Sequence, residues 1–213
     1  MRRIGKYIRE QPLESSCWCY LLLTVLPGVL WQGEGRWAAE AVFRYLIPGG
    51  AACAAAVRFY GASVSALSLR GFCRSFLYCC PIAGLCLVNL LLGGWPEAVR
   101  PEQIFWIACC ALGEEVMGRM LLFSGAALGA EARGWGKPAA IVLSAVVFGL
   151  MHAVNYAAQG TVGTLIQCCY TAGIGALLAW SYQKSGCLWG GIVWHALLNL
   201  TAMPMASSGG LLP

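Results

Sequence analysis

Seven apolar stretches follow one another along the chain, separated by short breaks of glycine, proline and charge. They run from about Cys17 to Trp31, Trp37 to Phe59, Phe72 to Leu92, Ile104 to Ala130, Ala139 to Tyr156, Thr161 to Tyr182 and Cys187 to Met205. The breaks at Gln32 to Arg36, Arg70-Gly71, Gly93 to Pro101, Glu131 to Pro138 and Gln183 to Gly186 contain the residue types that end helices. A bilayer crossing takes ~20 predominantly apolar residues. The pattern therefore predicts an all-α fold, a polytopic membrane bundle of about seven transmembrane helices within bounds of six to eight. The first run is short and contains Pro27, so it and the second are the least regular of the seven.

Composition sharpens this picture. Of 213 residues, 59% are hydrophobic and 11% charged, against about 25% charged in soluble domains. Residues 1–213 therefore read as a single integral membrane domain, with the lipid bilayer as its first partner and no room for a separate soluble unit. The net charge of +5 does not point to nucleic acid, because the bases are spread through the breaks rather than gathered in one patch. With the N-terminus cytoplasmic, Arg2, Arg3, Lys6, Arg9, Arg58, Arg70, Arg74, Arg133, Lys137 and Lys184 fall on the cytoplasmic side, leaving Arg36 and Arg100 outside. That asymmetry predicts a multi-pass protein of the cell membrane. The basic segment Met1 to Glu10 ahead of an apolar run resembles a signal peptide, but no A-x-A-like site follows, and retention as a first membrane segment is expected. The twelve cysteines lie mostly within apolar runs without a C-x-x-C pair and read as small buried residues.

Ionisable groups inside spans are the informative exceptions, since each is costly there. The chain has no Asp, nine Glu and two His. Arg44 and Arg119 fall within runs, each four residues after a glutamate, Glu40 and Glu115, so both pairs share a helix face. The Glu40/Arg44 pair lies near the outer end of its run, where snorkelling or a re-entrant segment explains it, and it is read as structural. Gly125 and Gly129, and Gly186 and Gly190, are spaced for close helix approach.

The candidate chemistry lies in three late runs. The fourth contains Gly113-Glu114-Glu115-Val116-Met117-Gly118-Arg119, an E-E-x-x-x-R pattern. Glu115 can pair with Arg119 on one face, while Glu114 is rotated by about 100° and left available as a proton acceptor and donor. The fifth run ends in Phe148-Gly149-Leu150-Met151-His152, and the seventh contains His195-Ala196-Leu197-Leu198-Asn199. His195 and Asn199 are i,i+4, so two donors leave one helix face, a way of holding a developing oxyanion. Glu114 and His152 can together orient and deprotonate a water. At 1.5 Å per residue, Glu114, His152 and His195 all fall near mid-membrane. A histidine hydrogen-bonded between helices and a buried structural ion pair are the bland readings of each element alone.

The ordered set E-E-x-x-x-R, F-x-x-x-H and H-x-x-x-N resembles the CPBP (Abi) family of CAAX-prenyl-protease-like intramembrane proteases. The approach Lys184-Ser185-Gly186-Cys187-Leu188-Trp189 is similar to that family's last motif. The resemblance covers roughly residues 100 to 200 and implies a catalytic core over 101–205. It implies a helical intramembrane endopeptidase, entered from the cytosolic side, acting on a peptide or membrane-anchored protein substrate. Carried onto this chain, Glu114 and His152 activate the water, His195 and Asn199 stabilise the oxyanion, and Glu115 and Arg119 support them. No cofactor is expected.

Two other readings stay open at this point. Glu114, His152 and His195 also form the ligand set of a zinc-dependent version of the same protease, although no H-E-x-x-H occurs. A non-enzymatic membrane partner, of the bacteriocin-immunity or chaperone-like kind, or a proton or solute carrier, is the reading from a different class.

Overall fold

The computed structural model describes residues 2–31, 37–93 and 99–207. They form nine continuous helical stretches and no strand, an all-α bundle. Helix α1 (Arg2–Glu10) precedes α2 (Pro12–Leu30). Residues 37–60 are one helix made of α3 (Trp37–Ala41), a π turn (Val42–Leu46) and α4 (Ile47–Tyr60). A 3-10 turn (Val64–Leu67) leads to α5 (Phe72–Tyr78) and α6 (Ile82–Gly93). Residues 101–132 are again continuous: α7 (Pro101–Glu115), a π segment (Val116–Phe123) and α8 (Ser124–Ala132). The chain closes with α9 (Gly136–Leu150), a 3-10 turn (Met151–Asn155), α10 (Tyr156–Ser185) and α11 (Trp189–Ser207).

All seven apolar runs are helical, but not all as single rods. By length and composition, Pro12–Leu30, Gly136–Asn155 and Gln159–Ser185 each suffice to cross a bilayer. The third run is not the single helix expected: α5 and α6 meet at 56°, the geometry of a broken span or a re-entrant loop. Pro81 sits at the break and has no N–H to continue the helical ladder, so the turn closes through shorter bonds such as Ile82 N–H to the Cys79 carbonyl. The second and fourth runs are helical throughout, yet π turns divide them into shorter pieces. The basic segment that resembles a signal peptide forms α1, tied to α2 where Ser15 Oγ lies 3.3 Å from the Ile8 carbonyl and can donate to it.

Helix crossings are set by glycines. A Cβ on Gly125 would lie 2.2 Å from the Ser16 Cβ, and one on Gly129 2.5 Å from the Leu13 Cβ, so α8 rests directly on α2. Gly190 meets the Ser75 and Phe76 backbone equally closely, which seats α11 against α5. Gly186 has a different part from the close approach expected of it: with φ of 65° it is the left-handed residue that ends α10, and open space surrounds it. Two indoles lock α11 in register, Trp189 Nε1 donating to the Leu67 carbonyl at 2.7 Å and Trp194 Nε1 to the Phe76 carbonyl at 2.9 Å. Those contacts decide where the histidine of α11 points.

Because the α2/α8 contact leaves no room for a methyl group, Gly125→Ala is expected to destabilise the detergent-solubilised protein by about 1–3 kcal/mol. Gly173→Ala, where the new methyl meets nothing within 4 Å, is expected to unfold at the parent midpoint or above it. Denaturant titration in mixed micelles reads both, and equal midpoints for the two variants would show that this crossing does not hold the bundle.

Candidate active site

The interior of a helix bundle in lipid offers a guanidinium no water, so Arg119 must find its partners among side chains. Glu115 supplies two of them, and Nη1 has no hydrogen-bond partner among the described residues. Arg119 Nε donates to Glu115 Oε2 at 3.0 Å and Nη2 to Oε1 at 3.3 Å, with side-chain exposures of 0% and 1%. The pair lies at the junction of α7 with its π segment, a widened turn of the kind that often marks functional sites. The guanidinium also lies over the Phe148 ring, 4.6 Å from its centroid. Gly118 and Gly175 stand on either side of that ring, where any Cβ would come within 3.3 Å of it.

Phe148 is the point at which the three motifs meet. His152 packs edge-on against it at 5.5 Å and His195 at 6.4 Å between ring centroids. His195 Nδ1 is 3.0 Å from Glu115 Oε1, so the buried ion pair extends to the imidazole of α11. The other nitrogen, Nε2, is 3.5 Å from Glu114 Oε2. Adjacent glutamates thus flank one histidine, Glu115 bonded to Nδ1 and Glu114 beside Nε2. The sequence divides the acids into one paired and one available; the fold joins both through His195.

Glu114 is partly exposed and faces a cavity of about 650 Å³ that is also lined by His152, His195 and Asn199. A second space of about 400 Å³ shares Glu114 and His152 with it. His152 Nδ1 lies 3.1 Å from the Phe148 carbonyl, which can only accept, so Nδ1 carries a proton, and in the neutral ring Nε2 is the acceptor nitrogen. The 3-10 turn holding His152 is tethered at its far end by Asn155 Nδ2 donating to Gln167 Oε1 at 2.9 Å. Gly149 fixes the α9/α10 crossing just before it, since a Cβ there would lie 2.5 Å from the Cys168 carbonyl.

Several cavity residues escaped the motif reading. Cys110, four residues before Glu114 and so legible as a face neighbour, donates its thiol to Glu114 Oε1 at 3.2 Å, and Asn199 Nδ2 lies 3.8 Å from its sulfur. Asn155 and Gln167 carry no spacing signal, because they meet only through the fold. Arg44, read as part of a structural pair, lines both spaces beside Glu114 and His152.

As for a metal, no cluster of three His, Cys, Asp or Glu side chains suited to hold an ion occurs among the described residues. Both nitrogens of His195 already face carboxylates.

Residues 96–201 match the family model described as Type II CAAX prenyl endopeptidase Rce1-like. No curated protein and no solved structure matches the chain. The matched segment begins just before α7, ends within α11, and contains all three motifs.

Removing one member of the buried pair leaves the other charge without a partner. Arg119→Met is expected to cost about 3–5 kcal/mol, and Glu115→Gln combined with Arg119→Met to recover most of it. Unfolding midpoints in micelles measure this, and a single variant as stable as the parent would remove the pair from the account of the fold.

Proposed function

From a chain that belongs, through residues 96–201, to the Rce1-like type II CAAX prenyl endopeptidase family, we propose a peptidase that hydrolyses its substrate with a water activated by Glu114 and His152. The family is one of CAAX-protease-type intramembrane endopeptidases. The observation that carries the reading is the shared cavity, in which Glu114, His152, His195 and Asn199 from three helices line one space. Its volume falls in the range of about 300–1,000 Å³ usual for ligand sites.

The proposed proton path is short. The water donates one hydrogen bond to Glu114 and one to His152 Nε2, whose lone pair is free because Nδ1–H is committed to Phe148. Glu114 takes the proton as the water oxygen attacks the scissile carbonyl carbon. The oxyanion that forms lies against His195 and Asn199; as an imidazolium, His195 donates from Nε2 while Glu115 holds Nδ1–H. Glu114 then returns its proton to the departing amine, and the C–N bond breaks to leave a carboxylic acid and an amine. Glu115 and Arg119 act as positioning residues, holding the imidazole plane.

A substrate bond presented near mid-membrane suits a peptide or a membrane-anchored protein, and the cell membrane with a cytoplasmic N-terminus is the location proposed here from the bias of basic residues. A proton-carrier role has less support, since a relay strings titratable groups toward both membrane faces whereas these line one cavity.

Glu114→Gln is expected to fold and insert as the wild type does and to lose at least about 10²–10⁴-fold in cleavage rate, the usual range of general acid–base contributions. The assay compares membrane-protein fragments from cells carrying either form; undiminished fragments from the variant would refute the reading. Incubation of the purified wild type with a zinc chelator is expected to leave its rate unchanged. Loss of activity restored by added zinc would reinstate the metal-dependent version.

A further inference from the structure

Arg44 is a charged group in the cavity to which the hydrolytic cycle assigns no task. Arg44 lines both the space of about 650 Å³ and that of about 400 Å³, each also lined by Glu114 and His152. Nη1 donates to Glu40 Oε1 at 2.6 Å. Among the described residues, Nε and Nη2 donate to nothing. The two partners are unequally exposed, the arginine side chain at 35% and the glutamate at 17%. A pair kept only to neutralise a buried base has no need to turn the base outward. Here the arginine lines the cavity and the glutamate does not.

Its surroundings support that orientation. Arg44 stands on the π turn Val42–Leu46, and Nη2 passes 3.5 Å from where a Cβ of Gly28 would be, so α2 approaches without a side chain between. With Nη1 committed to Glu40, the remaining Nε–Nη2 edge keeps the two parallel N–H bonds that match a carboxylate. Arg44 also lies outside the matched segment 96–201, so this feature is contributed by the N-terminal half of the chain.

Resting on the peptidase reading, we infer that Arg44 anchors the substrate by binding a carboxylate of the peptide through its Nε–Nη2 edge. That carboxylate comes from the C-terminus or from an acidic side chain near the scissile bond. Since Arg44 and Glu114 are fixed on packed helices, cleavage then falls at a constant spacing from the bound carboxylate. Glu40 holds the guanidinium in place and keeps its charge compensated when the cavity is empty.

The test begins with the fragments that depend on Glu114, found by comparing membrane proteins from cells carrying the wild type and Glu114→Gln. Peptides spanning those sites are made with a free C-terminus or its amide, and separately with the acidic side chain or its amide. Purified wild type, Arg44→Gln, Arg44→Lys and Glu40→Gln are assayed on each. Amidation of one carboxylate is expected to lower wild-type kcat/KM by roughly ten- to a hundredfold, mostly through KM, the value of one charge-assisted contact. Arg44→Gln is expected to cleave acid and amide alike, Arg44→Lys to keep part of the preference, and Glu40→Gln to keep it. Which amide matters identifies the source. A wild type indifferent to both amides, or an Arg44→Gln protein retaining the full acid preference, overturns the inference. Equal losses in Arg44→Gln and Glu40→Gln with the preference intact also overturn it and assign the pair to the fold. Absence of any Glu114-dependent fragment is a separate outcome, which overturns the peptidase reading itself.

Discussion

An arginine with no access to water, placed in the middle of an apolar bundle, dictates much of what surrounds it. Arg119 is held by both oxygens of Glu115 and by the face of Phe148. Glu115 in turn holds His195, and His195 faces Glu114. Charge compensation therefore passes from α7 and its π segment to α11 and back to the cavity edge. An ion pair of this kind is a weak source of net stability, but breaking it is expensive, so the helices that supply its members are constrained to stay together.

The same chain of contacts couples architecture to chemistry. A histidine held at Nδ1 by a buried carboxylate has its ring plane fixed, which aims Nε2 at the cavity edge. Phe148 adds a rigid wall common to Arg119, His152 and His195, and the glycines at 118 and 175 make the space that lets its ring enter. Small residues are thus not filler between the motifs. They set the distances at which the motifs meet.

The N-terminal half takes part in the site as well. Tyr45 and Arg44 come to the cavity from a π turn, and the close approach of Gly113 to the Tyr45 carbonyl brings that helix against α7 one residue before Glu114. Reading the first two runs only as membrane spans leaves this out. The break at Pro81 is of the opposite kind, since a residue without an N–H inside an apolar run marks its bend in the text itself.

Much of the site's vocabulary is present in the one-dimensional order of residues. Helical periodicity is local, so the seven helical runs, the pairing of Glu115 with Arg119 and the common face of His195 and Asn199 follow from spacings of three and four. The same logic reaches Cys110 beside Glu114. Contacts between helices have no such period. That His195 lies between Glu114 and Glu115, that Asn155 meets Gln167, and that Arg44 lines the same cavity as Glu114 depend on where helices cross. Those crossings are set by glycines whose partners lie far away in the chain, such as Gly125 against Ser16 and Gly190 against Ser75. Spacing along one helix determined which groups can act together within it; only the packing of helix on helix decided which of them share a cavity, because side-chain reach across an interface is a property of the tertiary contact.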